Sequence, residues 1–213
     1  MNERPTSVPA ASDEPYLVLV RHAPTVPQAG VNSAQWSLDA GAAELTAELA
    51  AQLAATYPVD LVVTSHEPKA VGTGRTLAAG LGVRSVTAPD LEEHHRKRTA
   101  LMDEAEWQRT LKRFFGSPHV LLFGQETGAE ARRRFERGLR AVQASSAGGT
   151  GGTGSTGRRL AVVSHATVLT LLLAGPNGLA PYDLWRTFRM PEAVVVHPES
   201  LRIIARLAPD RAA

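Results

Sequence analysis

The segments Tyr16–Val20, Val59–Ser65 and Arg159–Ser164 each contain an unbroken apolar run: LVLV, LVV and LAVV. A strand with one wet face alternates apolar and polar side chains. A continuous run instead demands cover on both faces, as in the centre of a parallel sheet held between helical layers.

The stretches between these runs supply the cover. In LDAGAAELTAELAAQLAATY, Leu45, Leu49 and Leu53 share one helical face, and Asp39 is read as the N-cap. EPKAVGTGRTLAAGLG is a second helix, with Pro68 near its start and Gly80 and Gly82 near its end. A short strand is expected at Arg84–Thr87. GQETGAEARRRFERGLRAV puts Phe135, Leu139 and Val142 on one face, and ATVLTLLLAG follows the third apolar run as a helix. EAVVVH and LRIIARL close the chain, the second alternating as an edge strand does.

Strand and helix thus alternate. The predicted class is α/β: a three-layer α/β/α sandwich with a mainly parallel central sheet and an antiparallel edge strand. A single domain is expected over residues 15–208, with disordered tails at 1–14 and 209–213. Residues 94–124 break the alternation. They begin polar, then carry Trp107, Leu111, Phe114 and Phe115 at helical spacing, and are read as a lid-like excursion from the sheet. Residues 144–158 are Gly-rich and read as a flexible loop.

Composition removes several chemistries. The 213 residues include no cysteine, which excludes disulfides, thiolate metal sites and a cysteine nucleophile. A net charge of +2 gives no reason to expect nucleic acid as a partner. The arginines of EARRRFERGLR are read as a solvated helix face. No run reaches the eighteen or so apolar residues of a membrane span, and the polar, Pro-rich start lacks a signal-peptide core. A soluble, cytoplasmic protein is the expectation; oligomeric state is not legible. GTGGTG matches a dinucleotide fingerprint in form, but it precedes a strand and opens no helix. The adjacent His94 and His95 point apart on any regular backbone and are read as a surface pair, not a metal site. No phosphate-binding loop with Gly-Lys-Ser/Thr and no Gly-x-Ser-x-Gly elbow occurs.

Ligands of such sheets bind beyond the carboxyl ends of the strands. The first strand ends in Arg21-His22, the second in Thr64-Ser65-His66 with Lys69 a turn later, and the third in Ser164-His165. Two vicinal basic groups repel each other once the imidazole is protonated; a phosphate-sized dianion between them reverses the sign.

LVRHAPT and VVSHATV together resemble the histidine phosphatase superfamily, also called phosphoglycerate mutase-like. TSHEPKAVGTG resembles its Ser-x-x-x-Arg-Ala-x-x-Thr-Ala segment, LEEHHR its Leu-x-Glu segment, and GQETGAEARRRFERGL its Gly-Glu-Ser stretch opening a long helix. The five motifs occur in the family's order from about Leu17 to Leu207. The resemblance implies His22 as nucleophile through a phosphohistidine, His165 as a second catalytic histidine and Glu93 as the acid, with Glu92 one residue away as competitor. Arg21, Gln28 and Lys69 are implied as substrate-binding residues, with neither metal nor other cofactor. The chain departs from the pattern at Lys69, where the family has arginine and its two-pronged donor; at Ala23 for glycine; at Pro24 for glutamate; and at Gln28 for asparagine. Glu126-Thr127 stands for the Glu-Ser pair.

The expected activity is hydrolysis of a small phosphomonoester. A mutase is the nearest alternative, but it must keep its phosphoenzyme dry under extensive cover, and here one short excursion supplies the cover. A non-catalytic phosphate binder is the alternative from another class. A carboxylate at Glu93 beside a dianion argues against pure binding, because it repels the ligand.

Overall fold

The computed structural model describes residues 14–28, 30–96, 102–147 and 159–210. Six strands form one sheet in the order β3-β2-β4-β1-β5-β6. They are β1 Leu17–Arg21, β2 Leu61–Thr64, β3 Arg84–Thr87, β4 Leu160–Ser164, β5 Glu192–Val196 and β6 Ile203–Leu207. Strands β1 to β4 pair in parallel. β5 runs antiparallel to β1, and the edge strand β6 runs antiparallel to β5.

The alternating faces of the buried strands feed two separate cores. Val18, Val20, Val62, Ala161 and Val163 pack with Leu49, Leu53, Ala70 and Leu77 of α1 (Ala42–Thr56) and α2 (Pro68–Leu81). Leu17, Leu19, Val63 and Val162 face the other way. They meet Leu111 and Phe114 of α3 (Glu104–Gly116), Phe135 and Leu139 of α4 (Gly128–Ala147), Leu169 and Leu172 of α5 (Ala166–Leu173) and Leu184 of α6 (Pro181–Thr187). This is the three-layer α/β/α architecture that the unbroken apolar runs require. α2 lies close on β2 because residue 74 is glycine: a Cβ there would meet Thr64 Cγ2 at 2.2 Å.

Several local expectations change. Asp39 is not the N-cap of α1. The helix starts after Gly41, and Asp39 Oδ1 instead accepts from Gly41 N, closing a turn just before it. α4 continues through Ala147, so residues 144–147 are helical where a loop was expected; residues 148–158, like both terminal tails up to Asp13 and from Arg211, lie outside the described residues. α6 carried no periodic signal because seven residues span only two turns. The excursion is not separate from the body of the fold: Leu111 and Phe114 of α3 are fully buried in the α4–α5 core. Among the described residues, no helix is long and apolar enough to cross a membrane.

Candidate active site

The parallel pairing of β1 with β4 sets Arg21 level with Ser164. The next residue of each strand is therefore a histidine at the same sheet edge, and the His22 and His165 rings lie 5.2 Å apart, centroid to centroid. His22 Nδ1 is 2.8 Å from Ala23 O. A carbonyl can only accept, so Nδ1 carries the proton and Nε2 keeps its lone pair. The turn that holds this geometry is pinned by Thr73, whose Oγ1 accepts from Ala23 N.

Burial disfavours charge on both imidazoles, and the cations around them add to the effect. His22 is held well below the ordinary histidine value by burial first, then by His165, Lys69 and Arg21. Burial, followed by Lys69, brings His165 down to about 3. Both are therefore neutral at pH 7 without an anion. His165 Nε2 sits 2.8 Å from Ser65 Oγ, and its Nδ1 is buried without a partner. Arg21 donates from Nη1 to Phe188 O at 2.6 Å, while its Nε has no acceptor. Burial lowers Arg21 to about 10, opposed by Glu93 and Glu192, so it stays a cation. Buried polar atoms without a protein partner, together with cations, thus cluster around one imidazole lone pair.

Glu93 reaches the same place from the loop after β3. Its Oε1 accepts from His94 N at 2.7 Å and its Oε2 from Thr167 N at 3.3 Å, at the start of α5. Burial raises its proton affinity, but Arg96, His165 and the His94 N–H more than offset this, and the net direction is downward. The loop is clamped from behind by Arg134 on α4, which donates to the carbonyls of Asp90, Glu92 and Glu93 and forks onto Glu126. This corrects the reading of the α4 arginines: Arg134 is buried and structural, whereas Arg133, Arg137 and Arg140 are solvated. Thr127 and Glu130 form a capping box at the head of the same helix.

A cavity of about 790 Å³ opens over these groups, lined by Arg21, His22, Lys69 and Glu93 among others. His165 lies behind its wall, fully buried. Glu92 does not line the cavity; it pairs with the exposed His66 at 2.9 Å. Gln28 is also off the cavity and exposed. Its carbonyl accepts from Val31 N, and Asn32 and Ser33 line the cavity instead. His94 is not a surface residue: Nε2 contacts Glu126 O at 2.7 Å, and the ring packs on Phe114 and Phe123. Among the described residues no group of three or more His, Cys, Asp or Glu could hold a metal ion.

Two further side chains take part, and the first of them, Glu67, escaped the sequence reading. Glu67, at the head of α2, is buried and touches three site elements. Its Oε1 accepts from Glu93 N at 2.8 Å and lies 3.5 Å from His165 Nε2; its Oε2 is 2.7 Å from Lys69 Nζ. The ammonium approaches Oε2 off the line of a hydrogen bond, so this last contact is Coulombic. Lys69 also donates to Ser33 O. Arg96 lines the cavity with its guanidinium 4.8 Å above the Trp107 ring and 4.0 Å from Glu93 Oε2. A glutamate beside Pro68 and two residues before a lysine was the only local sign of the first.

The sequence profile of the histidine phosphatase superfamily (branch 1) matches residues 17–203. The chain belongs to this superfamily. No curated protein matches it. Solved structures share the fold. Mycobacterial glucosyl-3-phosphoglycerate phosphatase superposes with a TM-score of 0.62 at 19% identity, over 92% of this chain and 98% of that one. Its VO3 complex gives 0.66 at 16% identity, over 89% and 97%. YhfR of Bacillus stearothermophilus gives 0.64 at 18% identity, over 88% and 93%. Membership in the superfamily supports phosphoryl hydrolysis or transfer as the chemistry.

Proposed function

We propose that this chain is a metal-independent phosphomonoester hydrolase that works through a phosphohistidine on His22. The observation that carries the reading is the fixed tautomer of His22. Ala23 O holds the Nδ1 proton, and an unprotonated Nε2 is left beside Arg21, Lys69 and His165. An imidazole lone pair within a ring of cationic and donor groups suits in-line attack on phosphorus.

The ester binds with its phosphoryl oxygens toward Arg21, Lys69 and His165. Nε2 of His22 attacks phosphorus, and the bond to the alcohol oxygen breaks. Glu93 gives the departing alkoxide a proton. That proton enters with a monoanionic ester, since an arriving phosphoryl group raises the proton affinity of the adjacent carboxylate. The same anion favours protonation of His165, whose Nε2 faces Ser65 Oγ and the Glu67 carboxylate, leaving Nδ1–H for a phosphoryl oxygen. Water then attacks the phosphohistidine, Glu93 takes the water proton, and inorganic phosphate leaves. Solved relatives named as phosphatases support the same reading.

His22→Ala should abolish release of phosphate from benzyl phosphate. Rapid acid-free quenching of wild type should trap a phosphoryl group stable to base and labile to acid. Full turnover by His22→Ala, or isomerisation of a phosphoglycerate without phosphate release, refutes the proposal.

A further inference from the structure

The chain has three tryptophans, and all three line the one cavity above His22. They come from separate elements: Trp36 from the loop after β1, Trp107 from α3 and Trp185 from α6. None is fully buried. None of the five phenylalanines or three tyrosines lines the cavity; Phe114, Phe115, Phe135 and Phe188 fill the core. Trp107 and Trp185 pack against the core on one side, but all three tryptophans also present surface to the cavity.

Two have their rings fixed by aromatic neighbours. Trp107 is backed by Phe123 at 5.6 Å and carries the Arg96 guanidinium. Trp185 stacks on Tyr182, with 14° between the rings. Trp36 is anchored by its own N–H, which donates to Val31 O at 3.0 Å. Met102 and Met190 add adaptable apolar surface. The cavity volume is that of a site for a sizeable ligand, far more than a phosphoryl group fills.

Among the described residues, the cations on the lining are Arg21, Lys69 and Arg96. Lys69 is paired with Glu67, Arg96 stands near Glu93, and Glu104 adds a carboxylate to the α3 side of the wall. Among the described residues, the α3 side of the lining offers indole, the Glu104 carboxylate and the Arg96 guanidinium, which is already stacked over Trp107.

Building on the phosphatase reading above, we propose that the alcohol half of the substrate bears a flat apolar ring, held among Trp36, Trp107 and Trp185. Compact phospho-acids and phosphorylated polyols are disfavoured, because they leave the indole faces wet. Recognition by ring faces is tolerant of ring substituents and intolerant of ring loss.

Binding of non-hydrolysable phosphonates separates this proposal from the catalytic one, because it needs no turnover. The tryptophans themselves report occupancy by fluorescence. Benzylphosphonate should bind at least about tenfold more tightly than methylphosphonate, and 3-phosphonopropionate no more tightly than methylphosphonate. Trp107→Ala and Trp185→Ala should each shrink the benzyl-to-methyl ratio, with Trp107→Phe retaining most of it. Equal affinity for the two phosphonates, tighter binding of the carboxylated one, or a ratio unchanged in both alanine variants overturns the proposal. Preference for benzylphosphonate together with no hydrolysis of any ester condemns the hydrolase reading alone. Hydrolysis of benzyl and propyl phosphate, alcohols of similar basicity, with equal kcat/KM condemns the ring preference alone.

Discussion

Glu67→Gln tests whether the charge at the head of α2 holds the site together. The amide keeps an oxygen for Glu93 N but removes the anion 2.7 Å from Lys69 Nζ. Both side chains are nearly excluded from water, at 8% and 5% exposure, so the ammonium cannot simply rehydrate. Stripping one partner from a buried ion pair costs about 3–5 kcal/mol. The lower end applies here, because Lys69 keeps its bond to Ser33 O and the lost contact was not a well-aligned hydrogen bond. A loss of about 3 kcal/mol lowers Tm by roughly 6–12 °C in a chain of this size. A bound anion supplies the missing counter-charge, so saturating vanadate should raise the Tm of the variant more than that of wild type. The assay is urea and thermal unfolding of wild type, Glu67→Gln, Lys69→Met and the double variant, with and without vanadate. The double variant should recover stability relative to the sum of the singles, by at least about 1 kcal/mol. A Glu67→Gln protein as stable as wild type, or strictly additive singles, refutes the reasoning.

Acid should weaken the fold through His165. Its proton affinity is lower folded than unfolded, so its contribution is complete above pH 6.5 and is lost progressively as pH falls toward about 3. Between pH 6.5 and 5 this amounts to about 2 kcal/mol; urea midpoints should fall over that range in wild type and fall less in His165→Gln, and parallel curves would contradict it. Gly74→Ala should destabilise by about 1–3 kcal/mol, since the new Cβ meets Thr64 Cγ2. Gly116→Ala, at an open position ending α3, should be neutral or stabilising by up to about 1 kcal/mol, and equal effects of the two in urea unfolding would rule out the close approach of α2 to β2.

The parts legible in the sequence are those where a physical boundary marks the residue. An apolar run must stop where the sheet meets water, and Arg21-His22 and Ser164-His165 stand at such stops. Pro68 marked the head of α2 and so placed Lys69. Where the chain is irregular, no period fixes which side chain turns inward. Leu91 to Arg96 forms no helix or strand, and only the coordinates separate Glu93, bound to His94 N and Thr167 N, from Glu92, paired with His66. The same holds between Pro24 and Trp36. Gln28 was implied by alignment with the family's asparagine; it is exposed, and Asn32 and Ser33 line the cavity. Glu67 was invisible for another reason: its partners Glu93 and His165 are remote in sequence, and no local pattern encodes a carboxylate shared among three loops. The tryptophans lie far apart in the chain, and only folding reveals that they share a wall.

The strand order carries a consequence for how the protein comes into being. β4 lies between β1 and β2, yet it is made long after both. Until residues 160–164 emerge, the two earlier strands lack the neighbour that each needs, and their backbone edges stand open. A chain cut short before that point has no second imidazole, no closed sheet and a strong tendency to self-associate. The strand that joins the two halves of the sheet and the second imidazole therefore arrive together, in residues 160–165 of nascent chain.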